Sequence, residues 1–310
     1  MLRGYFKASL TRDAACRRRY DNAFRRSRLT AIRTALRLHP NMVLACDLDG
    51  TLIPLESDEV YRTAIASLST LLLRHQVTLL YVTGRRLELA LDGMTEFKLP
   101  NPDFIVSDVG TSIYIRDANG WKNDRSYESL LGQQWGAQTY EHVLHSLEDL
   151  PDLRLQEAEC QSPFKLSFYL DKPNCASEIL ALVEKRLNAN SILAKCIYSV
   201  DPYRGLGLLD VLPPSASKHF ALQHLVASFG KTMDEIVYAG DSGNDLEVFL
   251  SDARSIIVAN TPDWVQRTVK KSASAHSSYF ASKKYAAGVL EGCIHFKVFA
   301  SDYLSITEPE

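Results

Sequence analysis

The sequence predicts an α/β fold, a doubly wound parallel sheet into which a smaller α+β unit is inserted. Three observations carry this expectation. From residue 41 on, short and wholly apolar runs alternate with helix-period stretches, the pattern of strands buried on both faces. Those runs lead into turns rich in Asp, Gly, Thr or Asn. Between about 117 and 207 the strands instead alternate apolar and polar residues, which breaks the series.

MVLAC (42–46) is the first expected strand. A helix carrying Leu68, Leu71 and Leu72 follows, and VTLLYV (77–82) is the second strand. FIVS (104–107) is the third, and TSIYI (111–115) alternates, as a hairpin or edge strand would. The middle stretch holds a helix over 139–148, an alternating strand KLSFYLD (165–171), a helix over 176–188 and a strand KCIYSV (195–200). LLDVLP (208–213) is expected to return to the first domain, followed by EIVYAG (235–240) and SIIVAN (255–260). The domain reading is a basic extension over 1–40, helical or mobile, a core from 41–116 and 208–300, and an inserted cap over 117–207.

Composition narrows the class. With 310 residues, 46% hydrophobic and 23% charged, the chain is long enough for two packed domains. No apolar run approaches the length of a membrane span. The six cysteines are scattered without a Cys-x-x-Cys pair, which reads as reduced thiols in a cytoplasmic setting. The net charge of -2 conceals an uneven distribution: residues 1–40 carry ten Arg and Lys7 against Asp13 and Asp21. That basic segment reads as a solvated or docked helix, with an organellar targeting segment and a nucleic-acid arm as the competing readings. No nucleic acid and no membrane are expected as partners of the main body.

Ligands of open parallel sheets bind at the carboxyl ends of the strands, and the polar residues gather there. Asp47 and Asp49 follow the first strand, Thr83, Gly84 and Arg85 the second, Gly110 and Thr111 the third. GDSGND, from Gly240 to Asp245, follows a later strand, and Lys218 opens a helix before it. Asp47 and Asp49 alone fit an ordinary turn, and a D-x-D pair also serves metal-dependent glycosyl transfer. Four carboxylates on one rim repel unless a cation sits among them. Oxygen-only donors point to Mg²⁺. A carboxylate nucleophile, a proton donor, a metal and a lysine are the parts that phosphoryl transfer needs.

D-x-D-G-T, the later Thr, the Lys and G-D-x-x-N-D together resemble the haloacid dehalogenase phosphatase superfamily, in the group with the larger α+β cap. Within it, VTGRR (82–86), SDVGTSIY (107–114), SPFKLSFYLD (162–171), LDVLPPSASK (209–218), GDSGNDLEVF (240–249) and KKYAAGVLEGCIHF (283–296) are similar to sucrose-phosphate phosphatases. The resemblance implies that Asp47 attacks phosphorus, that Asp49 protonates the leaving oxygen, and that Thr83 and Lys218 hold the phosphate. It implies Mg²⁺ on Asp47, the Asp49 carbonyl and Asp241, with Asp245 reached directly or through water. Thr51, Gly84, Arg85, Gly110, Thr111, Lys165 and Asn244 complete the expected substrate-binding set. Thr51 is also expected to brace Asp49, and Asn244 to steady its loop or meet phosphate.

Sucrose 6-phosphate is the first expected substrate, with mannosylfructose phosphate and glucosylglycerol phosphate as competitors. A hexose phosphomutase and a non-catalytic partner of a sugar-phosphate synthase are the remaining readings. In the cap strand, Lys165, Ser167 and Tyr169 share one face, expected to look down on the core, while Phe164, Leu166, Phe168 and Leu170 pack the cap.

Overall fold

The structure is a computed structural model that describes residues 42–299 except 58, 136–139, 173–174 and 201–204. The basic extension over 1–40 therefore lies outside the described residues. In chain order the elements are β1 (Val43–Cys46), α1 (Tyr61–Arg74), β2 (Thr78–Val82), α2 (Leu87–Glu96), β3 (Phe104–Ser107), β4 (Ser112–Asp117) and β5 (Gly120–Asn123). Next come α3 (Arg125–Trp135), α4 (Tyr140–Leu147), β6 (Leu153–Leu155), β7 (Leu166–Leu170), α5 (Ala176–Ala189), β8 (Lys195–Val200) and β9 (Gly207–Leu212). The chain closes with α6 (Lys218–Ser228), β10 (Ile236–Gly240), α7 (Leu246–Phe249), β11 (Arg254–Ile257), α8 (Asp263–Lys270), β12 (Ser278–Phe280) and α9 (Tyr285–His295).

Eight strands form one sheet in the order β12-β11-β10-β1-β2-β3-β4-β5. From β12 to β3 the pairing is parallel; β4 and β5 add an antiparallel hairpin at one edge. Val43 pairs with Thr78 on one side and Ile236 on the other, so the strand order reverses at β1. That reversal opens a crevice beyond the end of β1.

The apolar runs are explained by burial on both faces. Leu44, Cys46, Leu79, Tyr81, Val237 and Ala239 pack one side with Leu68, Leu72 and Val289. Val43, Ala45, Leu80, Val82, Ile236 and Tyr238 pack the other with Leu222, Leu225 and Val265. Side chains alternate along each strand, and both faces are covered, so no polar position is left in β1. No helix among the described residues is long and apolar enough to cross a membrane.

The second sheet has four antiparallel strands in the order β6-β7-β9-β8. Leu166, Phe168, Leu170, Leu209 and Val211 face its own core with Val143, Val183 and Leu187 of α4 and α5.

Both expected boundaries of the inserted unit shift. The hairpin through Asn123 belongs to the large sheet, and Tyr127 and Leu131 of α3 pack into the core cluster. At the other end, residues 207–212 do not return to the large sheet; β9 is a central strand of the small one, paired with β7 and β8. Leu209 and Val211 face the small sheet's core and Leu212 the large one's, so the run looks as apolar as a buried parallel strand. The chain crosses back only at Pro213 and Pro214.

Candidate active site

Asp47 is the first residue past β1, where its N–H still donates to the Ala239 carbonyl at 2.9 Å. Its side chain is buried in the crevice. The next turn is tight: the amides of Thr51, Leu52 and Ile53 all donate to the Leu48 carbonyl. Gly50 holds φ +75°, and a Cβ there would collide with the Asp241 carboxylate. Only glycine serves this position on both counts. The Asn260 side-chain amide donates to the Gly50 carbonyl at 2.7 Å and fastens the turn to the strand end opposite.

Lys218 is the first residue of α6, whose start is capped by the Ser217 hydroxyl accepting the Phe220 N–H. Its ammonium is fully buried, 2.7 Å from Asp47 Oδ2 and 2.7 Å from Asp245 Oδ1. The Tyr238 hydroxyl also donates to Asp245 Oδ1, at 2.5 Å. Asp245 Oδ2 accepts the amides of Asp241 and Ser242 at 3.0 and 2.9 Å. Both carboxylate oxygens of Asp245 are thus taken by protein donors. Its work in this arrangement is to hold Lys218 and to fold the 241–245 loop.

Asp47, Asp241 and Asp245 bring carboxylate oxygens within 4.8 Å of one another. The Thr51 hydroxyl donates to Asp241 Oδ1 at 3.0 Å. Burial raises the Asp47 carboxyl well above the usual range, and the nearby Lys218 charge only partly opposes it. Burial, then Asp245, pushes Asp241 up to about 7, against the pull of Lys218 and Thr51. For Lys218, burial works against the charge, but Asp245 and Asp47 outweigh it and its pKa rises. One buried ammonium therefore does not neutralise three buried carboxylates. The donor set is all oxygen and short of positive charge, which fits a hard divalent cation such as Mg²⁺.

Asp49 sits two residues on, at the rim, where its carboxylate is clamped by Arg85: Nε to Oδ2 at 2.7 Å and Nη2 to Oδ1 at 2.6 Å. Arg85 is itself held by the Leu89 carbonyl at 2.9 Å. Thr83 is buried at the end of β2, and its Oγ1 accepts the Arg85 N–H at 3.1 Å; its own O–H remains a donor. Gly84 lies beside it, partly exposed.

Several expected substrate contacts are turned inward instead. Thr51 is fully buried and braces Asp241, not Asp49. Thr111 is fully buried, and its hydroxyl donates to the Asp108 carbonyl at 3.0 Å. Gly110, at φ +92°, packs against the Ser217–Lys218 backbone, where a side chain would collide. Residues beside a ligand site in sequence are needed here to pack the loops that carry it. Asn244 is exposed, and its Oδ1 accepts the Ser242 hydroxyl at 2.9 Å, a brace within the loop.

On the cap side the alternation of β7 holds. Leu166, Phe168 and Leu170 enter the cap core, and the opposite face carries polar groups. Lys165 Nζ lies 2.9 Å from Asp108 Oδ1 in the core loop after β3, with both side chains 8% exposed. The Ser167 hydroxyl donates to Asp210 Oδ1 at 2.5 Å, and the Tyr169 hydroxyl to Glu157 Oε2 at 2.8 Å. Burial works against the Lys165 charge, but Asp210 and then Asp108 more than restore it. A second ion pair, Lys195 with Glu247, joins β8 to α7 in more exposed surroundings.

Among the residues of this network that the sequence reading does not single out are Asp108, Asp210, Tyr238 and Asn260. Tyr238 sits inside an apolar strand, where its ring masked the hydroxyl. Asp108 carried a usable signal, a carboxylate directly after a parallel strand.

The profile of the Sucrose-6F-phosphate phosphohydrolase family matches residues 40–297. A HAD-like hydrolase of Nitrosococcus oceani is 36% identical over 82% of this chain and 71% of its own length. Sucrose-phosphatase 1 of Nicotiana tabacum is 31% identical over 73% of this chain, which spans about half (52%) of that protein. Among solved structures, a sucrose-phosphatase of Synechocystis in complex with sucrose and phosphate superposes with a TM-score of 0.70 at 26% identity, covering 84% of this chain and 99% of that one. With the family profile spanning both sheets, the chain belongs to the sucrose-6F-phosphate phosphohydrolase family, phosphoric monoester hydrolases of the haloacid dehalogenase superfamily.

Proposed function

We propose that the chain hydrolyses a disaccharide phosphate, sucrose 6-phosphate first, through an aspartyl-phosphate on Asp47. The observation that carries this reading is the buried Asp47–Lys218–Asp245 chain at the sheet's switch point, with Asp49 two residues away on the rim. Lys218 lies against the Asp47 carboxylate, where its charge can also draw in phosphate oxygens. The Thr83 O–H would donate to another of them.

An Asp47 oxygen forms the new bond to phosphorus as the sugar oxygen leaves, and Asp49 gives that oxygen its proton. Asp49 then takes a proton from the water that attacks the phosphoryl group, and Asp47 is released as a carboxylate. For either transfer the Asp49 carboxylate must part from Arg85, since the guanidinium occupies both of its oxygens. Arg85 is thus read as the group that parks Asp49 between turnovers.

Asp47, Asp241 and the Asp49 backbone carbonyl would hold Mg²⁺, with Asp245 reached through water because its oxygens are already taken. Bound there, the ion would supply positive charge against the phosphate dianion.

The reading is tested by phosphate release from a panel of sugar phosphates with Mg²⁺ and with EDTA. Turnover of sucrose 6-phosphate above the others, abolished by EDTA, is the expected result. Preference for mannosylfructose phosphate or glucosylglycerol phosphate would move the substrate but keep the chemistry. Phosphate exchange between two hexose positions without net release would make it a mutase. A sugar-phosphate synthase, whose product is this substrate class, is the proposed upstream partner.

A further inference from the structure

We propose that Asp108 is a positioning residue that latches the cap onto the core by holding Lys165 above the catalytic rim. The inference rests on the phosphatase reading only in so far as the cap serves the sugar.

The first observation is the pair itself. Asp108 belongs to the core loop after β3; Lys165 directly precedes the cap strand β7, in a turn closed by reciprocal amide bonds between Ser162 and Lys165 at 3.0 and 3.1 Å. Their charged atoms meet at 2.9 Å with both side chains 8% exposed. A further cap–core ion pair among the described residues, Lys195–Glu247, is far wetter, with side chains 26% and 49% exposed. Exposed pairs contribute little, whereas loss of one partner from a buried pair leaves an unpaired buried charge. Of these two pairs, the buried one is therefore the contact whose disruption is felt more, even with Asp210 of the cap also near Lys165.

The second observation is independent of charge. Asp108, Val109 and Gly110 hold φ of 51°, 58° and 92° in succession. L side chains avoid this region, and a β-branched valine avoids it most. The positive φ of Gly110 has its own reason, the close packing on the Ser217–Lys218 backbone at the start of α6, and Thr111 turns back on Asp108. That contact does not require the strained Asp108 and Val109, and what these two accomplish is to aim the Asp108 carboxylate at the cap. Strain kept at one spot by surrounding structure commonly marks such a task.

The same turn is fastened to the catalytic rim. The Asp108 amide donates to the Arg85 carbonyl at 2.9 Å and the Val109 amide to the Thr83 carbonyl at 3.2 Å. The position of the cap, the Thr83 hydroxyl and the arginine on Asp49 thus share one rigid segment. A sugar that fits under the latched cap meets a correctly set rim; a small phosphate ester has no need of the latch.

The test uses the full chain and starts without substrate. Hydrogen exchange over 162–170 is compared in the native protein, Asp108→Asn and Lys165→Met. Both variants should speed exchange in this segment about tenfold or more, as loss of a buried partner implies. Lys165→Met reaches the pair without touching the strained turn, so it decides the matter if Asp108→Asn does not fold. Asp108→Asn should also lower kcat/KM for sucrose 6-phosphate about tenfold while p-nitrophenyl phosphate changes less than about twofold, and in the double variant the two effects should add to less than their product. Unchanged exchange in Lys165→Met, or full additivity, would overturn the latch. Faster exchange with no sugar phosphate hydrolysed would uphold the latch and discard the substrate reading.

Discussion

Lys218→Met replaces the buried ammonium by an apolar side chain of similar length. In the native protein that ammonium stands 2.7 Å from each of two buried carboxylates. Without it, Asp47 and Asp245 face each other with no counter-charge against them among the described residues. Removing one partner from a buried ion pair costs about 3–5 kcal/mol, which for a protein of this size is a fall in Tm on the order of 10 °C. The sign of the pH dependence follows from the same contacts. Lys218 holds the Asp47 carboxyl down against burial, so its loss raises the folded pKa further above the unfolded one. The penalty is then present where the unfolded chain is ionised and shrinks as the pH falls and the folded site takes up protons. Thermal unfolding in EDTA, at about pH 7.5 and about pH 5, should show a large deficit at the first and a much smaller one at the second. An equal deficit at both would mean that Lys218 contributes packing alone, and that the electrostatic account of the site is wrong.

The metal-free native protein should lose stability as pH rises from about 4 to about 7, because folded Asp241 keeps to about 7 a proton that the unfolded chain releases near its ordinary value. Mg²⁺ should accordingly raise Tm more at the upper end of that window than at the lower, which differential scanning calorimetry measures directly. Asp47→Asn should abolish a hydroxylamine-sensitive phosphoenzyme that the native protein forms. Asp49→Asn should lower kcat by about 10²–10⁴-fold through loss of proton transfer; ordinary turnover in either variant contradicts the covalent route. Gly110→Ala should cost at least about 1–2 kcal/mol from its positive φ alone, with a further loss of activity as the start of α6 is displaced, seen in urea unfolding alongside phosphate release.

The sequence was most informative where one residue's neighbours in the chain are also its neighbours in space. The largely apolar runs of β1, β2 and β10 name themselves, because burial on both faces leaves few polar positions in them. Asp47, Asp49 and Asp241 to Asp245 could be read from turns that directly follow those strands. The face of β7 that carries Lys165 followed from alternation alone. Other features depend on partners distant in the chain, and no local pattern encodes them. Nothing near Asp49 says that Arg85 will clamp it, and nothing near Thr51 says that its hydroxyl will reach Asp241. Residues 208–213 read as part of the core, yet β9 lies in the small sheet, because apolar composition reports coverage, not which sheet supplies it. Gly110 and Thr111 stand beside a ligand site in sequence, yet space turns them into its foundations.

The long separation between the two halves of the site bears on how the chain matures. β1 pairs with β10 across the whole insertion, and the hydrogen bond from Thr51 to Asp241 joins residues 190 apart. Such contacts close large loops and form late in folding. A nascent chain that has just completed the insertion already carries Asp47 and Asp49 but has neither Lys218 nor Asp241. Until the last third is synthesised and docked, Asp47 has no Lys218 ammonium beside it and β1 has an open edge where β10 belongs. Catalytic competence thus reports that the entire core has assembled, and the interval before it is when the exposed edge of β1 is most open to pairing with the wrong chain.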